Sequence, residues 1–424
     1  MRSHALISAT MLVTLGFGWN ISVHAETSSQ QLARAAVSGN VSESARAIAM
    51  LRSQGQEGIK IFLDTYGDKL QQRQSQALDA ICQQRDCYAS RLYWYTDLQQ
   101  AKAAAKATGK PILSLRLLGR LDEDLSCANS RFFRTALYPN AEVSQVLRDR
   151  FILHWQSVRP VPKVTIDFGD GRKMQSTITG NSIHYILDSE GRPIDALPGL
   201  YGPGTFLKEL SKAERAVKDY TKLGWQERED FLTKWHSDRL AEIQANWVAD
   251  LSKLGISSPP ELVKIPNPTD KPPTAQQAAP IAMSKMVVEN PLLTAITNAV
   301  RNNREALTKA TGDEENWTKI AQLHAVTARL DSNSKALMQQ KNSNLQPPVI
   351  EKFENYMALD TVRNEYQLHS QIHEWFIRGI GTNNIETLNE RVYAQLFLTP
   401  SSDPWLGLLP QDAYTAIEND GISK

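Results

Sequence analysis

Between Tyr88 and about Leu210 the chain alternates short apolar runs with helix-period segments, whereas the sequence on either side carries helical periodicity alone. That alternation is the tightest constraint on the fold, because strands that return between helices have to meet in a sheet that those helices cover. Asp97 is a helix cap for a segment through Lys106, which Thr108-Gly109-Lys110-Pro111 ends, and Ile112 to Leu117 then reads as a buried strand. Asn140 caps a second helix carrying Val143, Val146 and Leu147, followed by the strand Phe151 to Trp155. Val164 to Phe168 and Met174 to Ile178 flank Gly169-Asp170-Gly171, a hairpin signal. A further strand, Ile183 to Leu187, turns at Ser189-Glu190-Gly191-Arg192 into Pro193-Ile194, and a helix from about Thr205 closes the unit.

The flanks define the rest of the organisation. From 28 to 85 the apolar residues fall at helical spacing, with breaks at Gly39-Asn40 and Gly67-Asp68, as in short helical hairpins. Residues 222–257 are helical and rich in tryptophan and charge, and the proline-dense stretch that follows forbids regular structure. From about Pro291 to Phe397 the pattern is helical again, before a loop-rich tail containing Trp405. The expected fold class is therefore an α-rich, multidomain α+β protein, a central α/β domain flanked by all-α regions. Its segments are 26–87 (N-terminal helical), 88–215 (α/β), 216–257 (helical extension), 258–290 (proline-rich linker) and 291–424 (C-terminal helical).

Residues 1–25 read as a secretory signal. Arg2 gives a positive start, Ala5 to Phe17 an apolar run too short for a bilayer, and Val23-His24-Ala25 the small residues of a cleavage site. The expected location is periplasmic or secreted, with no membrane span after that segment is removed. The chain holds 47 Lys and Arg against 46 Asp and Glu, a balance with no electrostatic footprint for nucleic acid or an anionic membrane. The three cysteines are Cys82, Cys87 and Cys127, an odd count that in an oxidising compartment means one disulfide plus a free thiol, or a thiol used intermolecularly.

Cys127-Ala128-Asn129-Ser130 is the segment with chemistry to offer. Ser126 is a good N-cap, which would set Cys127 at the first helical position with its sulfur near free backbone N–H groups, an environment that favours the thiolate. Arg131 and Arg134 push the same way, Asp122, Glu123 and Asp124 the opposite way, and Ser130 is positioned to donate to a thiolate. His184 and His154, both on expected strands, are candidate bases for the thiol. Cys82 and Cys87 stand five apart, too far for a bridge within a continuous helix, but a turn at Arg85-Asp86 would permit one. Cys87–Cys127 is the other pairing; Cys82–Cys87 is the favoured structural one.

In its order of landmarks the region from about 90 to 212 resembles the thioredoxin-like superfamily, in its exported branch. The matching residues are Trp94, Leu98, Ala101 and Ala105, then Gly109-Lys110-Pro111 and the apolar strand, the cysteine and its helix, Val143 and Phe151, Leu187-Asp188 with Gly191-Arg192, and finally Gly199 and Phe206. The family's Cys-x-x-Cys is here Cys127-x-x-Ser130, and Ser182 stands near the place of its cis-proline. The resemblance implies thiol chemistry of a monothiol kind, with Cys127 as nucleophile, Ser130 stabilising its thiolate, and protein or small-molecule thiols as partners. The alternative is a non-catalytic binding or scaffold protein on a degenerate version of the same fold, with a protein partner.

Elsewhere the signals are weaker. His369 and His373 stand one helical turn apart with Glu365 a turn earlier, a spacing compatible with a metal ion, although not the arrangement of a hydrolytic zinc site. A polar helix face with hydrogen-bonded histidines has the same spacing. No nucleotide or flavin motif and no serine-hydrolase elbow appears, so no cofactor is expected beyond that metal option.

Overall fold

The structure is a computed structural model and describes residues 27–177, 180–257, 262, 314–379, 381–401 and 416. The expected signal segment, most of the expected proline-rich linker, Trp405, and Ile178 at the end of the expected hairpin lie outside the described residues. The chain is mixed α+β and rich in helix, with a four-stranded sheet and a separate two-stranded one.

Helices α1 (Ser28–Ala35), α2 (Val41–Ser53), α3 (Gln56–Tyr66) and α4 (Gln72–Cys82) form the N-terminal unit. Asn40 caps α2 through its side-chain oxygen, which accepts from the backbone of Ser42 and Glu43. Leu51, Ile59, Phe62, Leu78 and Ile81 fill a small core that also takes in Cys82 and Cys87. The one-turn helix α5 (Cys87–Ser90) leads on to the α/β unit.

There α6 (Leu98–Thr108) precedes β1 (Ile112–Leu118), and α7 (Ala128–Phe132) and α8 (Ala141–Arg150) precede β2 (Ile152–Arg159). The hairpin β3 (Lys163–Asp167) and β4 (Lys173–Thr177) pairs Asp167 with Lys173 across the Gly169-Asp170-Gly171 turn. Strands β5 (Ile183–Leu187) and β6 (Pro193–Pro198) and helix α9 (Pro203–Lys222) complete the unit. Asp97 and Asn140 cap α6 and α8 as their residue types lead one to expect, accepting from Gln100 and Val143.

The sheet order is β2-β1-β5-β6. β1 and β2 run parallel with Ile112 opposite Ile152, while β5 is antiparallel to both β1 and β6. β1, β5 and β6 are buried along their whole length, so the polar residues they carry, Ser114, Arg116, His184 and Asp195, are buried with the apolar ones.

What covers the sheet is partly the chain beyond it. Helices α10 (Arg228–Lys253), α11 (Glu314–Leu323), α12 (Ser332–Lys341), α13 (Pro347–Arg363), α14 (Ser370–Ile377) and α15 (Ile385–Arg391) follow α9 among the described residues. A single apolar core runs from Leu92 and Trp94 through the sheet to Trp247, Trp317, Trp375 and Phe397. α13 passes into α14 through a wider π-type turn, Asn364–His369, and this turn packs against β6. Among the described residues no helix is long and apolar enough to cross a membrane.

Candidate functional site

Two groups of residues have the chemistry for a site: the thiol of Cys127 and a buried histidine-carboxylate cluster between β6, α10 and the C-terminal helices.

Cys127 follows β1 through the loop 119–126. It is itself the N-cap of α7, with extended backbone, so the helix starts one residue later than Ser126 capping would give. Its side chain makes no capping bond. The thiol is closed off from solvent, and its sulfur lies 3.0 Å from the Ser182 hydroxyl, also fully buried. Ser182 belongs to the loop that enters β5, and Gly180 in that loop runs so close that a Cβ there would stand 2.4 Å from the Cβ of Cys127. Tyr393, in the π-type turn that continues α15, roofs the same loop: its hydroxyl donates to the Asn181 carbonyl at 2.9 Å.

The expected helpers of the thiol are turned elsewhere. Ser130 donates its hydroxyl to Ser126 and approaches the Cys127 carbonyl at 3.0 Å, the ordinary behaviour of a helical serine bonding back one turn. That corrects the expectation that it stabilises a thiolate. His184 has its Nε2 2.7 Å from the Tyr138 hydroxyl and its ring among Phe133 and Phe206. Burial pushes its pKa down to about 3, so it is a neutral core group bonded to Tyr138, not the thiol's base. His154 is bonded to Ser114 at 2.8 Å across β1 and β2, and burial, with the Arg116 charge, holds it down to about 3 as well. Arg134 is buried and directed at Asp86 and Ser126.

Cys82 and Cys87 form the disulfide, leaving Cys127 as the free cysteine. The bridge closes a turn in which Gln83 and Asp86 take the left-handed conformation, the break in the helix that the spacing demanded. The same turn carries the seam to the α/β unit: the Gln83 carbonyl accepts from the Trp155 indole and the Gln84 amide oxygen from the Trp94 indole, each at 2.8 Å.

The second group is deeper. His369 is fully buried between two carboxylates, with Nδ1 2.9 Å from Glu365 and Nε2 3.0 Å from Asp195 on β6. Burial alone would keep it neutral, but Glu365 and Asp195 outweigh that and raise its pKa. His373 lies one turn on, its ring centroid 4.2 Å from that of His369, and its Nδ1 meets His236 Nδ1 of α10 at 2.8 Å. Burial, reinforced by the charge of His369, drives His373 well down, so it is neutral. Around them Arg239 contacts Glu209 at 2.5 Å and bonds Glu242, and Lys212 reaches Glu209 and Glu242 at 3.1 and 2.7 Å. One donor atom from each of Asp195, His369 and His373 lies within 4.8 Å of the others.

The histidine ladder is therefore where the spacing put it, while Glu365 is the partner of His369 Nδ1 and the third converging donor is Asp195. Sequence reading missed Asp195 and His236. An acid set among Ile194, Ala196 and Leu197 in an apolar strand was the available signal for Asp195. His236 sits on a helix crowded with other polar residues and carried none. No protein-family model, no curated protein and no solved structure matches this chain.

Proposed function

We propose that this is an exported, non-catalytic binding or scaffold protein built on a degenerate thioredoxin-like fold. The observation that carries the reading is the closure of the Cys127 thiol: it is fully buried, held against Ser182, and roofed by Tyr393. A nucleophile that exchanges disulfides has to be reached by a partner sulfur along an open line of attack. The supporting geometry for the fold is the parallel β1–β2 pair continued by the antiparallel β5 and β6, with the cysteine opening the helix after β1. Ser182 stands before β5 and against the thiol, which agrees with the reading that sets the family's cis-proline near this residue. The Cys82–Cys87 bridge fits an oxidising compartment and hence export.

Monothiol exchange at Cys127 is the second reading, and the feature in its favour is the cysteine's place at the start of α7. Thiol labelling of the native, unreduced chain separates the two. The scaffold reading expects no label until the protein is unfolded, and then one thiol per chain, lost in Cys127→Ser. Rapid labelling of Cys127 in the native state, or a stable mixed disulfide formed there with glutathione, overturns it in favour of exchange.

A further inference from the structure

The buried cluster holds four polar atoms without a hydrogen-bond partner, His236 Nε2 and Arg239 Nε at its edge and two among the converging donors. Asp195 Oδ2 and His373 Nε2 have no partner, on side chains respectively 1% and 0% exposed, and they belong to two of the three residues whose donors converge within 4.8 Å. Buried polar atoms are nearly always satisfied by protein, water or an ion. We propose that Asp195, His369 and His373 hold a divalent transition-metal cation, zinc by its imidazole and carboxylate donor set, as a structural ion taken up on folding.

The surroundings suit that assignment. Metal-bound imidazoles usually give their second nitrogen to a carboxylate or another acceptor, which fixes ring and tautomer. Here Glu365 takes His369 Nδ1 at 2.9 Å, and His236 Nδ1 faces His373 Nδ1 at 2.8 Å. If His373 donates that hydrogen bond, its Nε2 keeps a free lone pair, the form a cation binds. The Asp195–His369 bond, 3.0 Å long, is the one the ion replaces, displacing the proton between them. When the ion displaces the His369 proton, the dication supplies the positive charge that Asp195 and Glu365 otherwise take from that imidazole.

The geometry also says what kind of site this is. Ligand atoms about 2.1 Å from a tetrahedral zinc stand roughly 3.4 Å apart, so donors within 4.8 Å close around it by a shift of about 1 Å. Neither imidazole is exposed and no substrate can reach them, which makes the ion a tie between β6 and the C-terminal helices rather than a catalytic centre. This goes beyond the proposed scaffold role and does not depend on the state of Cys127.

The test is metal uptake by the full-length, oxidised chain. It is unfolded with chelator, freed of metal, refolded with and without Zn2+ and desalted. The expected result is about one zinc per chain after refolding with Zn2+, and a higher melting temperature than for protein refolded without it. Co2+ in place of Zn2+ should give d–d absorption of imidazole-carboxylate ligation without a thiolate charge-transfer band. Asp195→Asn and His373→Gln, close in shape to the native side chains, should fold and keep less than about a tenth of the zinc, while Glu242→Gln keeps all of it. Failure of the wild-type chain to take up zinc overturns the proposal whatever the variants do. So does a thiolate band with Co2+, or full zinc content in both ligand variants.

Discussion

The Sγ of Cys127 and the Oγ of Ser182 lie 3.0 Å apart with neither group open to solvent. The contact is local, but a neighbour comes from far along the chain: the Tyr393 hydroxyl donates to the Asn181 carbonyl beside it. Tyr393→Ala should therefore turn an unreactive thiol into one that labels in the native state. The same variant loses a buried aromatic ring, which costs about 3–5 kcal/mol by the usual large-to-small rule. Tyr393→Phe keeps the ring and removes only the hydrogen bond, so it should cost about 1 kcal/mol and leave Cys127 unlabelled. Equal labelling rates for native Tyr393→Ala and Tyr393→Phe, measured against unfolding midpoints in urea, would contradict the roof.

Gly180 offers a sharper test of the same packing. Its φ of +140° is rarely open to other residues, and an added Cβ would stand 2.4 Å from the Cβ of Cys127. Gly180→Ala should destabilise the fold by about 2 kcal/mol or more, from backbone strain and overpacking together. Because the clash is with Cβ and not with sulfur, Cys127→Ala should not rescue it, whereas Cys127→Gly should recover part of the loss. Rescue by Cys127→Ala would mean that the sulfur, not the backbone approach, sets the constraint.

The Cys82–Cys87 bridge closes a short loop, so the chain-entropy effect is modest. For a sequence separation of 5 it comes to about 2 kcal/mol. Its larger consequence is local, since the bridged turn receives the indole N–H groups of Trp155 and Trp94. The double variant Cys82→Ala, Cys87→Ala should lower stability by about that amount and change the native tryptophan emission. An unchanged emission spectrum would show that the turn keeps its shape without the bridge.

Much of the fold was legible because local residue types decided it. Asp97 and Asn140 announce helix starts, Gly169-Asp170-Gly171 announces a hairpin, and the short, mostly apolar segments 112–117 and 183–187 announce buried strands. The thiol's burial was not legible, because it is set by tertiary packing, and nothing near residue 127 encodes the distant Tyr393 that bonds the Asn181 carbonyl. Ser130 was misjudged because its spacing to Ser126, a single helical turn, competes with its spacing to Cys127. The His369–His373 ladder was readable from the helical repeat, but its third donor, Asp195, sits on a strand and joins only through tertiary packing.

Asp79 carries a pH dependence whose sign is fixed by burial. Its carboxylate, 7% exposed, accepts from the Cys87 backbone at 2.9 Å and faces Arg85 at 3.3 Å. Desolvation outweighs both and, with Asp86 nearby, raises its pKa to about 6. Between about pH 4 and that value the folded chain holds a proton that the unfolded chain has released. The stabilisation from this proton is complete below about pH 4 and is lost as pH rises through about 6, where a buried charge has to be carried. Asp79→Asn keeps an acceptor for the Cys87 N–H and carries no charge at any pH. Relative to wild type it should become more stable as pH rises across this window, by on the order of 3 kcal/mol in total, and the difference should level off at the acid end of the window and above pH 7. Urea midpoints of the two proteins measured across that range decide the matter: a difference that does not change with pH, or one that runs the other way, would mean that Arg85 and the Cys87 amide hold the carboxylate ionised after all.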